Sequence, residues 1–398
     1  MKEYEHISVK FEIVTPLFLR GYDQSKAEFR LSSFKGALRF WWRAIAWKYF
    51  KLKTIDELYR NETMIFSSTD KSVGKSKVIL NAEVDYFKKG HFKGYGKNEY
   101  GLSYLTYGIK KHKDDIKEYV LPPVNGKINI YFRNLNKKCK KSIKNSIIKA
   151  LIALSYFGGI GARSRRGLGS FHIEEIKNGD ELEYIQSKNV KDLKINIENF
   201  LAEFKEEDQI QINDLLYSRF SRYSRACLLK IDSDVNKLLN SIGFELLKYR
   251  SYGDSGELPG GIRAERNFKR DHDLMLDFTN KNKIEEHPER IIFGLPHNYY
   301  FQSNKTSVMI SPFSNSATRR ASPLFIKIIK VQQHYAAIGL ILKSKFLQNN
   351  KLKIIATKQH RIRNRTVKKI VNSTEVPLAV NWSFLDSFFD RFDCKEEI

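Results

Sequence analysis

The hydrophobic periodicities of this 398-residue chain predict an α+β fold. Three observations carry the prediction. The first 178 residues show strand-like and helix-like patterns in the order β-α-β-β-α-β, the ferredoxin-like (RRM-like) arrangement. A glycine- and arginine-rich segment, residues 158–170, joins the last helix of that set to its last strand. After an acidic stretch the alternation begins again, which predicts a second α+β domain. The expected division is residues 1–178, an acidic connector at 179–216, and residues 217–398.

Each element has its own warrant. Val9, Phe11 and Ile13 alternate as in a half-buried strand. Phe34, Leu38, Trp42, Ile45 and Tyr49 recur at helical spacing, and Ser32 or Ser33 can cap that helix. Val78, Leu80, Ala82, Val84 and Tyr86 predict the second strand; Ile128, Ile130 and Phe132 predict the third. Between them lies an insertion, residues 87–123, rich in Gly, Tyr and Lys, read as a contact surface or as disorder. Ile143, Ile147, Ile148, Leu151 and Leu154 give the second helix; Phe171 and Ile173 give the last strand. Residues 177–215 hold ten acids against five bases, with a helix through Leu193, Ile197, Phe200, Leu201 and Phe204. In so basic a chain this reads as a connector lying outside a polyanion's path. Beyond it, residues 226–231, 324–331 and 336–342 read as strands. Val235, Leu238, Leu239, Ile242 and Leu246 read as a helix.

The charge narrows the function. Seventy Lys and Arg against 45 Asp and Glu leave +25, for which a polyanionic partner is the leading explanation. Lysine is spread over the whole chain, so arginine clusters are the better signal. No apolar run reaches the length of a membrane-spanning helix, and the N-terminus through His6 is too polar for a signal peptide. Cys139, Cys227 and Cys394 have no paired spacing, which predicts neither a disulfide framework nor a zinc site. A cytoplasmic location without membrane association is the expectation.

Residues 158–170 hold five glycines, three arginines and no acid. Glycine lets a backbone turn sharply and approach a ligand closely. Arginine offers a planar fork matched to phosphate. The order helix-loop-strand excludes a dinucleotide fingerprint, which runs strand-loop-helix. Arg166, Gly167 and Gly169 fit the RNP1 signature, but Leu168, Ser170 and Ile173 stand where stacking aromatics belong. Backbone binding, without base stacking on this strand, is therefore expected. Lys35, Arg39 and Arg43 are spaced by four and form one basic helical stripe. Arg20 lies in the polar loop after the first strand, and Arg319 and Arg320 precede a later strand. Residues 351–369 carry eight Lys or Arg and no acid, read as a second RNA contact or a solvated edge. Gly74-Lys75-Ser76 fails as a phosphate loop because Thr69 stands where its first glycine belongs. Asp271-His272-Asp273 is too short a cluster for a metal site and reads as a polar helix face. No metal or cofactor is expected.

Taken together, Thr15-Pro16-Leu17-Phe18, Lys35-Gly36-Ala37-Leu38-Arg39-Phe40-Trp41-Trp42-Arg43 and residues 158–170 resemble the RAMP superfamily of CRISPR proteins. The second run is also similar to the first-numbered subunit family of the type III-B effector, the Cmr complex. So are Tyr104-Leu105-Thr106-Tyr107-Gly108, Phe293-Gly294-Leu295-Pro296 and Arg319-Arg320-Ala321-Ser322-Pro323-Leu324. The resemblance implies two ferredoxin-like domains in tandem with a glycine-rich RAMP loop. It implies a non-catalytic RNA-binding subunit near the crRNA 3′ end, touching single-stranded target RNA and other RAMP subunits. The expected RNA-binding positions are Arg20, Lys35, Arg39, Arg43, Gly159, Gly161, Arg163, Ser164, Arg165, Arg166, Gly167, Arg319 and Arg320. Two alternatives stand beside it. One is an endoribonuclease: target-cutting relatives use an aspartate after the first strand, where Asp23 sits. Processing relatives use histidine, and residues 15–53 contain none. The other is a protein-only scaffold.

Overall fold

Alternating burial makes residues 6–13 a strand: Ile7, Val9, Phe11 and Ile13 are fully buried while Lys10 is exposed. This strand, β1 (His6–Ile13), is central to a five-stranded sheet in a computed structural model of the chain. The structure describes residues 6–67, 75–110, 116–205, 210–253, 256–280, 282–314, 317–362 and 365–392. The N-terminus ahead of His6, Thr69, Gly74 and Cys394, and residue 363 within the basic tract 351–369, lie outside these ranges. Next come α1 (Leu31–Tyr49), α2 (Ile55–Phe66), β2 (Val78–Val84), β3 (Lys89–Phe92), α3 (Tyr100–Leu105) and β4 (Lys117–Val120). They are followed by β5 (Val124–Phe132), α4 (Lys137–Phe157), β6 (Phe171–Asn178), β7 (Glu181–Ile185) and α5 (Val190–Ala202). The sheet order is β2-β5-β1-β6-β7, antiparallel throughout. Helices α1 and α4 pack together, and the buried Trp42 indole N–H donates to the Ser146 hydroxyl (2.9 Å).

Helix α1 begins at Leu31, with Arg30 as its N-cap and no side-chain cap. Ser32 and Ser33 therefore sit inside its first turn, two and three residues past the capping position expected of them. The insertion at 87–123 is packed in its described part. The Asn240 side-chain oxygen accepts from the Gly101 and Leu102 N–H groups (2.9 and 3.1 Å), two donors that the start of α3 leaves open. Phe18 stacks on Tyr119 (5.1 Å) and meets Phe92 edge-on (5.0 Å).

The remaining elements are β8 (Arg225–Asp232), α6 (Val235–Arg250), β9 (Glu257–Leu258), β10 (Ile262–Arg263), α7 (Lys269–Thr279), β11 (His297–Phe301) and β12 (Thr306–Pro312). Then come β13 (Leu324–Val331), β14 (His334–Ile341), β15 (Lys351–Ile362), β16 (Arg365–Pro377) and α8 (Ser383–Phe389). Strands β13, β14 and β8 form a three-stranded sheet in the order β13-β14-β8. A four-stranded antiparallel sheet, β11-β12-β15-β16, packs Val308, Ile310, Leu352 and Ile354 with Met275 and Phe278 of α7.

The compact units follow a different division from the expected one. The first comprises residues 1–244, 325–344 and 392–398; the second comprises 245–324 and 345–391. Residues 217–398 are thus shared between two units, because β13 and β14 pair with β8 of the first. The 178/179 boundary falls at the turn of the β6–β7 hairpin. The acidic stretch is also no detached connector. Its helix α5 buries Leu193, Ile197, Phe200 and Leu201 in the main core. Its Glu203 pairs with Lys149 of α4. Net charge describes the solvated side of α5; its apolar stripe decides where it packs. Cys139 is free. Among the described residues no helix is long and apolar enough to cross a membrane.

Phe200 tests the attachment of α5. Its ring lies 5.1 Å from Phe220 and 5.9 Å from both Tyr156 and Phe157, with Lys149 over its face at 4.8 Å. Phe200→Ala should cost about 3–5 kcal/mol in denaturant unfolding, as for a core aromatic. A detached connector would lose well under 1 kcal/mol.

Candidate nucleic-acid interface

The segment after β1 and the loop between α4 and β6 close on each other through main-chain hydrogen bonds. The Gly169 N–H donates to Pro16 O (3.0 Å), Ala162 N–H to Phe18 O (2.8 Å) and Ile160 N–H to Gly169 O (2.9 Å). Thr15, fully buried, works in both directions. Its hydroxyl donates to Gly167 O (2.7 Å) and accepts from Ser170 N–H (2.9 Å). The Ser170 hydroxyl also donates to Gly167 O (3.0 Å).

The glycines serve this closure. Gly161 has φ +84°, and a Cβ there would come within 2.8 Å of the Phe18 carbonyl oxygen. Gly169 has φ +58°, and a Cβ would collide with the Ile160 carbonyl. At Gly159 a Cβ would meet Gly169 O at 2.7 Å, and at Gly167 (φ +82°) it would meet Leu239 at 2.8 Å. Close approach of a ligand, the reason expected from sequence, is therefore secondary to close approach of the chain to itself.

The loop arginines have separate tasks. Arg163 donates to Tyr107 O, and Arg166 donates to Tyr104 O (3.2 Å) while lying over the Tyr104 ring (5.8 Å). Both side chains are half-buried, and burial lowers both pKa values. They bind the carbonyls at the end of α3, so they are tied inward where free surface cations were expected. Arg165 differs. Its guanidinium stacks on Phe40 (5.1 Å) and Phe325 (4.3 Å). It lines a cavity of about 250 Å³ with Ser33 and Trp41 of α1, residues 158–161 and Ser164. No acid occupies the first turn of α1, and a helix N-terminus favours an anion.

Two of the three cations in the expected basic stripe of α1 share one carboxylate on α2. Arg39 Nε and Arg43 Nη1 each donate to Glu62 Oε1 (2.7 Å), whose side chain is only 7% exposed. Lys35 donates to the Ser76 hydroxyl (2.9 Å), and burial lowers its pKa. The acid that answers the stripe lies on another helix, so spacing within α1 could not reveal it. Arg20 donates to Glu118 O (3.2 Å) on β4. Arg319 and Arg320 belong to the second unit. There Arg319 is exposed, while the Arg320 main chain pairs with Leu295 and its guanidinium lies over Phe346 (5.3 Å). Of the expected positions, Gly159, Gly161, Ser164 and Arg165 gather around the cavity. Sequence reasoning missed Phe325, which had no signal beyond its place in a strand.

Two chemical possibilities take definite form. Asp23 is exposed, and its Oδ1 accepts from the Ser25 N–H (2.9 Å) and hydroxyl. These bonds, chiefly the hydroxyl's, lower its pKa, whereas a general base at neutral pH needs a raised one. The triplet at 271–273 divides its work. Asp271 accepts from Glu289 and Arg290 N–H (3.0 and 2.7 Å), His272 stacks on Tyr252 (4.0 Å), and Asp273 pairs with Lys269 (2.5 Å).

A family model described as the RAMP superfamily matches residues 10–172. The chain is 32% identical over 186 residues to the CRISPR system Cmr subunit Cmr1-2 of Pyrococcus furiosus, covering 42% of this chain and 94% of that relative. It is 25% identical over 344 residues to the Cmr1-1 subunit of the same organism, covering 83% and 84%. Among solved structures it is similar to apo Cmr1 from Pyrococcus furiosus, with a TM-score of 0.55 at 18% identity over 97% of this chain and 96% of that one. It is also similar to a chain of a type III-B Cmr-beta complex bound to cognate target RNA. There the TM-score is 0.51 at 17% identity, covering 98% and 99%. At these identities the structural likenesses speak to the fold.

Two glycines separate backbone strain from packing. Gly179 and Gly169 both have left-handed φ, +63° and +58°, but a Cβ on Gly179 meets open space. Gly179→Ala should cost about 1 kcal/mol, the left-handed penalty alone. Gly169→Ala should cost about 3 kcal/mol or more, because the loop must also open. Urea unfolding of the pair checks the difference.

Proposed function

The chain belongs to the RAMP superfamily, among the Cmr subunits of the type III-B CRISPR system, and on that premise we propose that it is a non-catalytic, RNA-binding subunit of the effector. The observation that carries the proposal is Arg165, stacked on two rings at the mouth of a glycine-walled cavity beside the acid-free first turn of α1. Stacking orients the guanidinium, and a positioned guanidinium beside a helix N-terminus suits a sugar-phosphate backbone. Such contacts position RNA without reading its bases. The reading includes a place near the crRNA 3′ end, contact with single-stranded target RNA and neighbouring RAMP subunits. It takes β1, β2, β5 and β6 with α1 and α4 as one ferredoxin-like domain, and β8, α6, β13 and β14 as a reduced second one.

The isolated chain should bind single-stranded RNA with little sequence preference. If about four phosphates are neutralised, log affinity should fall against log salt with a slope of roughly −3. Arg165→Ala should weaken binding and reduce that slope by about 0.7, one phosphate's share. Arg163→Ala and Arg166→Ala should act mainly on stability. Filter binding across a salt series, with melting curves, separates these effects; a flat salt response removes the proposal.

The non-catalytic part of the reading rests on Asp23, whose carboxylate shapes its own turn. Asp23→Ala should leave target cleavage by the assembled complex within about twofold of wild type, and the isolated chain should not cut RNA with or without divalent metal. Loss of cleavage with assembly and RNA binding intact would make Asp23 catalytic.

A further inference from the structure

Lysine 327 is the most unusual cation in the chain. It stands in β13, is 1% exposed, and is among the largest fully buried side chains. Its amine donates to Gly158 O and to Phe171 O, both at 2.7 Å. These carbonyls mark the two ends of the glycine loop, 169 and 156 residues away in sequence. Burying an amine is costly unless its donors are met. Burial drives its pKa well below the ordinary lysine value, and the two carbonyls take two of its N–H donors.

The neighbours of Lys327 repeat the pattern. Phe325 lies under the Arg165 guanidinium (4.3 Å). The Ile326 N–H donates to Arg165 O (3.0 Å), and Arg166 forms an isolated parallel bridge with Ile326. The Ile328 N–H donates to the Ser170 hydroxyl (3.1 Å). Four consecutive residues thus hold the start, middle and end of the loop. Only the side chain of Lys327 joins both ends at once.

We propose that Lys327 is a positioning residue for RNA binding: it never meets RNA, and it holds both ends of the glycine loop so that Arg165 and the loop wall of the cavity face one backbone together. This rests on the RNA-binding reading above. It also implies that the loop's shape is supplied by β13, from outside residues 10–172 that carry the family match.

The test is Lys327→Met in the full-length chain, which keeps most of the side chain's bulk and removes its donors. Two readouts are needed: hydrogen exchange at the amides of Ile160, Ala162, Gly169 and Ser170, and affinity for a single-stranded RNA at a temperature where the variant is folded. The expected result is faster exchange confined to the loop and a loss of affinity of roughly tenfold, the equivalent of about one well-made hydrogen bond. Ser170→Ala, which removes the partner of the Ile328 N–H, should move both readouts less and in the same direction, and it decides the matter if Lys327→Met does not fold. Wild-type loop exchange and affinity in a folded variant would overturn the proposal. Faster exchange spread over the whole first unit with unchanged affinity would do the same, because that is the signature of a purely structural lysine. If the wild-type chain fails to bind RNA, the RNA-binding reading falls, and loop exchange still reports whether Lys327 holds the loop.

Discussion

An irregular backbone cannot be buried unless its N–H and C=O groups find partners, and the loop at 158–170 is where this constraint governs the molecule. The loop leaves α4, turns through glycines and enters β6 with residues 167–170 buried. Its hydrogen bonds come from itself, from Pro16 and Phe18 after β1, from the hydroxyl of Thr15, and from β13. A buried threonine suits position 15 because one hydroxyl can donate and accept together. Once these bonds are set, the glycines have a single course available. Phe40 and Phe325 can then bracket Arg165, and the cavity beside the start of α1 acquires its walls.

The same constraint explains what happens to the positive charge. Net charge draws a polyanion, but it does not say which cation meets it. Arg20, Arg163 and Arg166 spend hydrogen bonds on main-chain carbonyls, and Arg39 and Arg43 converge on Glu62. Arginine is suited to such inward roles. Its fork offers several donors, and it keeps its proton when partly buried. A run of arginines can therefore be structural in most of its members, while Arg165, over two aromatic rings, lines the cavity.

One face of the five-stranded sheet packs into the main core. Facing away from the buried Ile7, Val9 and Phe11, Lys10 pairs with Glu174 (2.9 Å) and Glu12 with Lys330 (2.9 Å). Leu168 and Ile173, which replace the stacking aromatics of an RNP1 signature, are fully buried. Charge on that face is thus paired within the protein, and its aromatic residues His6 and Tyr131 lie against each other, 5.2 Å between ring centroids.

Much of the first unit was legible in the sequence because its signals are local. Period two in Val9, Phe11 and Ile13, and helical spacing in Phe34, Leu38, Trp42 and Ile45, follow from backbone geometry that each residue shares with its near neighbours. Glycine, by lacking a Cβ, likewise announces where the chain must turn tightly. The sequence by itself therefore determined β1, α1, β2, β5, α4 and β6, their order and the position of the loop, while α2, α3, β3, β4 and β7 had no reading. Tertiary structure alone decided the partners: Glu62 for the α1 arginines, the α3 carbonyls for Arg163 and Arg166, Phe325 under Arg165, the return of residues 325–344 to the first unit, and the packing of an acidic helix into a core. The physical reason is that a side chain's task is set by whichever donor, acceptor or ring the closed chain brings within about 3 to 6 Å. For Arg165 and Lys327, that neighbour lies more than a hundred residues away.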